Sequence, residues 1–485
     1  MLGAINLMAS GKFCRNLFLA GLMLMAGCRS MAPGYEQPVA PVAGQFSVSV
    51  EEAGSRVEKL GWKQYFDDPA LQMLIGQALE HNRDMRTAIL RVEEAQAAYG
   101  VVRAGLYPHI DAIGSYNRSR TPADLSLTGR SMVTEDYLVG IGISSWEIDF
   151  WGRVRSLKDA ALQSFLATDE ARRALQIALI ARVADSYMVL RELDERLVIA
   201  RKTIESRAET LRIFQRRYEV GATSRLDLTQ VETLLAQARS LEYQLQQARD
   251  SQYNALTLLV GQPVDLPPAV RTLDAVMLPV LNAGLPSELL LARPDIMAAE
   301  HRLKAANANI GAARAAFLPR ISLTTTYGSA SSELEGLFEA DSHAWKFSPS
   351  ISLPIFNAGR NRANLNLAEV RRNIAVAEYE KAIQIAFREV ADALASRKWL
   401  QQQLQSQQQT LDALSERSRL VKLRYDSGAT SYFEVLDAER ELLAAEQQLV
   451  QTRRSLLSSR ISLYAALGGG TQALNVSTEA EQALQ

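Results

Sequence analysis

The chain has 485 residues, with 53 lysines and arginines against 54 aspartates and glutamates, and its formal net charge is −1. This balance argues against a nucleic-acid partner, which would favour a basic stripe on the protein. No run of 18 apolar residues follows Cys28, so the sequence predicts no transmembrane helix.

The first 27 residues are predicted to be a signal peptide. Lys12 and Arg15 supply positive charge, and the 12-residue stretch NLFLAGLMLMAG follows them. An apolar stretch of that length is too short to span a bilayer but suits a signal peptide. The small pair that precedes Cys28 resembles a bacterial lipobox, although Met25 stands where leucine is usual.

Cys28 is therefore a candidate lipidation site. The alternative is an ordinary cleaved signal in which this cysteine is incidental. Cys14 lies inside the signal, so Cys28 is the only cysteine of the mature chain and no internal disulfide can form. We expect an N-acyl group and an S-diacylglycerol lipid on Cys28, and no other cofactor. Arg29 replaces the aspartate that typically retains lipoproteins in the inner membrane, which favours the outer membrane.

The rest of the chain contains an internal two-fold repeat. DFWGRVRSL at 149–157 matches IFNAGRNRANL at 355–365, and Gly152 and Gly359 are 207 positions apart. Each copy reads as a short helix, two strands, a long helix, a glycine turn and a medium helix. The predicted division is an N-terminal extension at 28–68, a first repeat at 69–261, a linker at 262–285, a second repeat at 286–470 and a tail at 471–485.

Two stretches of 68 residues, from Arg153 to Val220 and from Arg360 to Ser427, contain no proline. As helices, each would extend ~100 Å. Apolar residues recur at steps of three and four, as in the seam of a coiled coil; in the first stretch they are Leu190, Leu193, Leu197, Ala200, Ile204, Ala208, Leu211, Phe214 and Tyr218. We therefore predict two antiparallel coiled-coil hairpins, each reversing at a glycine in the left-handed conformation.

Four segments alternate with period two, which is typical of strands. They are HIDAIGSYN at 109–117, YLVGIGISSWEIDF at 137–150, RISLTTTYG at 320–328 and SPSISLPIF at 348–356, with loops around 118–135 and 328–346. A lipid-facing barrel explains this alternation, and so does a soluble sheet with one water-exposed face. The lipobox favours the barrel. Because four strands cannot close a membrane barrel and open edges are not tolerated in lipid, several copies must share it.

Nothing in the sequence indicates an enzyme. The four histidines, His81, His109, His301 and His343, have no metal-ligand spacing. There is no H-E-x-x-H motif, no G-x-S-x-G motif and no phosphate-binding loop. We expect neither catalytic residues nor a metal site, so energy for any transport must come from a partner.

Several segments resemble the TolC family, and most closely the OprM- and CusC-like outer-membrane lipoproteins of RND multidrug efflux pumps. The resemblance runs from about Cys28 to Gly470. Its most specific segments are GWKQYFDDPALQMLIGQALEHNRDMR at 61–86, RPDIMAAEHRLKAANANIGAARAAFLPRISLT at 293–324, LPIFNAGRNRANL at 353–365, EVLDAER at 434–440 and SLYAALGGG at 462–470.

The resemblance implies a homotrimer that forms a 12-stranded transmembrane β-barrel and a long periplasmic α-helical barrel. It also implies two partners besides the outer-membrane lipid: a periplasmic adaptor protein and an inner-membrane RND pump. The expected function is a passive exit duct for drugs or other toxic small molecules. Type I protein secretion and metal-ion efflux use similar ducts, and a periplasmic coiled-coil scaffold without a pore is the rival from another class.

The two hairpin turns repeat the letters GAT. These residues are Gly221, Ala222 and Thr223 in the first turn and Gly428, Ala429 and Thr430 in the second. Helix capping explains the glycines but not the repeated triplet. We predict that both turns contact the adaptor.

After the turns the two copies diverge. Phe433, Asp437 and Arg440 align with Leu226, Gln230 and Thr233. Phe433 and Asp437 are four residues apart, so they lie on one helical face. In the resembling family the matching positions form the periplasmic constriction. The resemblance thus assigns Phe433 and Asp437 to a gate, and we expect Arg440 to be an ion-pair partner. Three like charges at a narrow ring attract cations, so we expect the closed pore to be cation-selective. The alternative is an ordinary surface ion pair.

Overall fold

The computed structural model describes residues 30–46, 55–56, 60–266, 272–282 and 293–469. The predicted signal peptide, Cys28 and the tail at 471–485 lie outside these ranges. The described α-helices and strands, in chain order, are β1 (Ser55–Arg56), α1 (Trp62–Tyr65), α2 (Pro69–His81), α3 (Arg83–Ala104), β2 (Ile110–Thr121), β3 (Met132–Glu147), α4 (Arg153–Glu219), α5 (Arg225–Val260), β4 (Leu281–Asn282), α6 (Pro294–Ala315), β5 (Arg320–Ser331), β6 (His343–Ser352), α7 (Arg360–Asp426) and α8 (Tyr432–Ala466).

The same order of elements occurs twice: helix, two strands, a helix of 67 residues, and a helix of 36 or 35 residues. Contacts group the chain into two compact units, and each unit takes segments from both sequence repeats. The first unit contains residues up to Val39, Arg91–Thr168 and Ala298–Tyr379, and the second contains Ala40–Leu90, Asp169–Met297 and the chain from Glu380 onward. None of the described helices combines the length and apolar character that crossing a membrane requires.

The first unit holds a four-stranded antiparallel sheet in the order β2-β3-β5-β6. Because side chains alternate across a sheet, this register separates two faces. One face is apolar and carries Ile110, Val139, Ile141, Ile143, Ile321, Leu323, Tyr327, Trp345, Phe347 and Ile351. The other is polar and carries Ser115, Asn117, Thr134, Asp136, Ser322, Thr324, Thr326, Ser348 and Ser350.

On the polar face two glycines lie opposite each other at the junction of the two repeats. Gly140 pairs with Gly328 across β3 and β5. A Cβ atom on Gly140 would lie 2.5 Å from the carbonyl oxygen of Tyr327, and one on Gly328 would lie 2.1 Å from that of Val139. Only glycine fits such a close approach of backbones. β3 and β5 therefore approach each other closely at this pair of glycines.

The strand boundaries differ from those predicted. The loops occupy 122–131 and 332–342, not 118–135 and 328–346. Polar pairs keep β2 and β3 together beyond the predicted ends: Arg118 pairs with Glu135 at 3.1 Å, and the hydroxyls of Ser119 and Thr134 are 2.8 Å apart. At the other end β6 stops at Ser352, so the predicted strand positions Leu353 and Ile355 are wrong. Ser352 pairs with Arg320, the first residue of β5, so positions beyond Ser352 have no residue of that strand opposite them.

In the second unit, α4 and α5 form the first hairpin, and α7 and α8 form the second. The seam predicted on α4 is buried at Leu193, Leu197 and Phe214. The observed burial differs from the predicted seam at two positions. Tyr218, a predicted seam residue, is 42% exposed, whereas Arg207, which the apolar spacing skips, is only 4% exposed.

Candidate functional site: the hairpin turns and the groove beside them

The first turn follows the end of α4. Gly221 has φ 73°, the left-handed conformation that favours glycine. The amide of Ala222 donates to the carbonyl oxygen of Arg217 at 2.7 Å, which closes the helix. Gly221 and Ala222 are exposed, and Thr223 is half-buried. The turn thus presents a small side chain to its surroundings.

A reciprocal cap starts α5. The Asp227 amide donates to Ser224 Oγ at 3.1 Å, and the Ser224 amide donates to Asp227 Oδ2 at 3.2 Å. Thr223 Oγ1 donates to the same carboxylate oxygen at 3.1 Å. These hydrogen bonds, those from Ser224 above all, lower the pKa of Asp227. The third residue of the GAT triplet therefore has a structural role in the first turn.

The second turn has the same backbone but a different start to the next helix. Gly428 has φ 75°, and the Ala429 amide donates to Arg424 O at 2.8 Å. Ser431 precedes α8 without a side-chain cap. The Thr430 hydroxyl is buried and has no hydrogen-bond partner in the structure. The second turn is thus less completely capped than the first.

A groove beside the turns brings together the residues at which the two sequence copies diverge. A cavity of about 260 Å³ lies between α5 and α8. The α5 side includes Leu226, Gln230 and Thr233, and the α8 side includes Phe433, Asp437 and Arg440. Both apolar members are largely exposed, since Leu226 is 68% and Phe433 is 59% accessible. The predicted gate residues therefore share one accessible surface.

The charge of Asp437 is balanced by two arginines. Its carboxylate accepts from Arg440 Nη2 at 2.5 Å and from Arg417 Nη2 at 3.1 Å. Arg417 also pairs with Glu441. The four charges of this cluster sum to zero within one copy, and the cation-selective ring of three aspartates stays a prediction. The sequence pattern missed Arg417 because it lies on the partner helix α7, and helical spacing relates residues within one helix only.

Near the turns, aromatic side chains connect the two hairpins. Tyr432 Oη on α8 donates to Thr210 Oγ1 on α4 at 3.2 Å, and its ring centroid lies 4.6 Å from that of Phe214. Burial raises the pKa of Tyr432 to about 12, so this hydroxyl stays protonated at neutral pH. Arg217 on α4 also donates to the hydroxyl of Tyr425 on α7.

In the first unit, the N-terminal segment lies against the start of α4. Ser30 Oγ is 3.2 Å from Ser156 Oγ, and a Cβ atom on Gly152 would lie 3.1 Å from Ser30 Cα. Further on, Tyr35 donates to Glu300 at 2.9 Å, and Asn307 donates to the Pro33 carbonyl at 2.8 Å. In the described residues, no group of three or more His, Cys, Asp or Glu side chains could hold a metal ion.

Comparison with known proteins matches both halves of the chain. The family model described as outer membrane efflux protein matches residues 74–262 and 285–469. The solvent efflux pump outer membrane protein SrpC of Pseudomonas putida is 44% identical over 466 residues, which covers 94% of this chain and 98% of SrpC. The cation efflux system protein CusC of Escherichia coli is 42% identical over 466 residues, with 95% and 99% covered.

Solved structures agree with these matches. The open state of the MtrE outer membrane channel of Neisseria gonorrhoeae superposes with a TM-score of 0.83 at 39% identity. The superposition covers 91% of this chain and 98% of MtrE.

Proposed function

The chain belongs to the outer membrane efflux protein family, and we propose that three copies of it assemble into the outer-membrane exit duct of a tripartite efflux pump. An inner-membrane RND pump would supply the energy for transport, and a periplasmic adaptor would connect that pump to the duct. The family match over both halves of the chain supports the outer-membrane location and the channel function.

The observation that carries the assembled form is the four-stranded sheet. It has one apolar and one polar face, and its edge strands β2 and β6 have no neighbour within the described chain. Unpaired backbone groups are not tolerated in lipid, and membrane barrels need at least about eight strands. Pairing β6 of one copy with β2 of the next closes the barrel. Three copies give the 12 strands and the helical barrel that the family resemblance implies; two copies would give eight.

Counting the subunits tests this assembly. Native mass spectrometry of the purified channel in detergent should give three times the mass of one lipidated chain. The mass of a dimer or a monomer would contradict the 12-stranded barrel, but it would leave the family assignment unaffected. Variants that place a proline in β2, at a position whose N–H group faces away from β3, should lose the trimer, because proline removes a ladder hydrogen bond to the next copy.

Drugs and other toxic organic molecules are the proposed cargo, in keeping with the similarity to a solvent efflux protein. Metal ions are the alternative, because a cation efflux protein is almost equally similar. A strain lacking this chain should become sensitive to organic antibiotics and solvents. Sensitivity confined to metal salts would select the alternative.

Lipid on Cys28 is proposed to anchor each copy beside the barrel. Ser30 packs next to Gly152, where the chain passes from β3 to α4. This packing places Ser30, two positions after Cys28 in the sequence, at the helix-side end of the sheet, which supports an anchor beside the barrel. Mass spectrometry should find a diacylglycerol thioether and an N-acyl group on Cys28. A free thiol there, or cleavage at another position, would contradict the anchor.

The turns at Gly221–Thr223 and Gly428–Thr430 are proposed to contact the adaptor. Support comes from the exposed, small Ala222 and Ala429 at the ends of both hairpins. Replacing either alanine with tryptophan should weaken efflux while trimers still form. The matched control is Val198→Trp, at a 65% exposed position far along α4. Unchanged efflux in both turn variants would leave the triplets as helix caps only.

A further inference from the structure

Within one copy, helix α4 of the first repeat packs against helix α6 of the second repeat. A Cβ atom on Gly311 of α6 would lie 2.8 Å from Ser156 Oγ of α4. Closer to the start of α6, His301 Nδ1 lies 2.7 Å from Gln163 Oε1 of α4. As the position on α4 rises, the position it contacts on α6 falls, so the two helices run antiparallel and meet closely.

The internal repeat provides a second pair of such surfaces, one on α7 and one on α3. Positions on α7 follow their equivalents on α4 by 207, and the end of α6 follows the end of α3 by 211, as GAARAAFLP follows GVVRAGLYP. Ala363 on α7 is therefore equivalent to Ser156 on α4, and Gly100 on α3 is equivalent to Gly311 on α6.

The surface around Gly100 is open in the single copy. A Cβ atom on Gly100 would meet no neighbouring element of the described chain within 4 Å. Glycine inside a helix is destabilising relative to alanine, so a close neighbour that a single copy does not provide would account for it. Val101, the next residue, is 76% exposed, whereas its equivalent Ala312 on α6 is 9% exposed. The part of α3 that corresponds to the buried part of α6 is therefore uncovered.

The corresponding face of α7 is exposed and apolar. Large apolar residues recur on it at steps of three and four from Ala363, which places them on one side of the helix; they are Leu367, Val370 and Ile374. Their exposed fractions lie between 47% and 53%. On α4 the equivalents of the first and last are Ala160 and Ala167, which are only 6% and 3% exposed. A contiguous exposed apolar face of this kind marks a surface that another molecule covers.

We propose that this face of α7 docks on α3 of the next copy, with Ala363 against Gly100, in the way that α4 docks on α6 within one copy. This inference rests on the proposed trimer. The strands support it, because β3 leads into α4, β5 follows α6, and β3 pairs with β5. In the same way β6 leads into α7 and β2 follows α3. The β6–β2 pairing that closes the barrel therefore brings these two helices side by side.

The contact between copies should be more apolar than the contact within a copy. Val370 stands where α4 has Gln163, the partner of His301. Covering the apolar face of α7 removes it from water, which is the main driving force of association. Each copy offers α7 to one neighbour and α3 to the other, so the interface is heterologous and a ring of copies satisfies all of these surfaces.

Disulfide cross-linking of the purified full-length channel tests this register. A chain with both Gly100→Cys and Ala363→Cys should link to its neighbours on mild oxidation, because the Cβ atoms of a disulfide lie within about 4.5 Å of each other. A denaturing gel without reductant should then show three linked chains. Gly100→Cys with Val370→Cys is the matched control; it moves one thiol about 10 Å along α7 and should not cross-link. Co-expressed single variants, Gly100→Cys in one chain and Ala363→Cys in another, should give two linked chains and never three.

A charge placed in the contact tests it without cysteines. Val370→Glu should lower the ratio of trimer to monomer in native mass spectrometry about tenfold or more, because it buries an unpaired carboxylate. Arg371→Glu is the control and should leave the ratio unchanged, since its equivalent on α4, Ser164, stays exposed beside the contact with α6.

The outcomes separate this docking from the proposed assembly. A trimer in which Gly100→Cys and Ala363→Cys do not cross-link would overturn the docking and leave the trimer standing, as would a cross-link in the Val370→Cys control. A native protein that forms no trimer would instead overturn the proposed assembly.

Discussion

The two hairpins have the same backbone plan but are packed differently. Between positions 188 and 219 of α4, buried residues recur through the length of the helix, among them Leu190, Leu197 and Phe214. The corresponding stretch of α7, 395–426, contains no buried residue in this chain. Its apolar side chains are partly or largely exposed, as with Leu420 at 46% and Leu423 at 54%.

Polar contacts link the same stretch of α7 to α8. Arg417 pairs with Asp437 and Glu441, and Arg453 donates to Gln408 at 3.3 Å. Ion pairs on exposed surfaces contribute little, typically ~0–1 kcal/mol each. The first hairpin therefore has a buried apolar seam, whereas α7 leaves apolar side chains exposed that another copy can cover. The predicted gate residues Phe433 and Asp437 lie on the second hairpin.

The largest expected difference between the hairpins is in their seams. Leu197 and Leu404 occupy equivalent positions 207 residues apart, but Leu197 is 4% exposed and Leu404 is only half-buried. Leu197→Ala should lower the free energy of unfolding by about 2–5 kcal/mol, since it leaves a cavity. Leu404→Ala should cost roughly half of that or less. Thermal melting of both purified variants in detergent checks this order. Equal losses would show that neighbouring copies bury α7 as fully as α4.

The second difference concerns charge at the groove. Asp437→Asn should leave Arg417 and Arg440 in excess and shift ion selectivity toward anions, because the cluster is neutral in the native chain. The aligned substitution Gln230→Ala in the first hairpin removes no charge and should not change selectivity. Reversal potentials in a KCl gradient measure both. If the native channel is strongly cation-selective and Asp437→Asn loses this preference, the three aspartates act as an acidic ring despite their arginine partners.

The smallest difference lies in the helix caps. Ser224→Ala should cost about 1 kcal/mol, as loss of an N-cap does, while Ser431→Ala should cost almost nothing because Ser431 caps nothing. Hydrogen exchange at the amides of the two turns should show this contrast. The pKa of Asp227 is lowered in the folded state, so its contribution is present above the unfolded value of about 4. That contribution is lost as the pH falls. Equal exchange in both turns would contradict the contrast.

The sequence predicted the long helices and their turns well, because a proline-free apolar repeat and a left-handed glycine are local signals. It misplaced the strand ends, since the polar pairs Arg118–Glu135 and Ser119–Thr134 look like loop residues until their partners are known. It also missed Arg417 and Arg207, whose roles depend on the register between helices. No local pattern encodes that register, and Arg207 stands where a seam residue is not expected.

The most direct test of the account is the single-channel conductance of the trimer after Phe433 and Asp437 are both replaced with alanine. If these residues close the resting duct, conductance should rise and large antibiotics should cross without the pump. The matched double variant Leu226→Ala, Gln230→Ala changes the facing positions of the first hairpin and should conduct like the native protein. Unchanged conductance in a correctly assembled Phe433→Ala, Asp437→Ala channel would place the gate elsewhere.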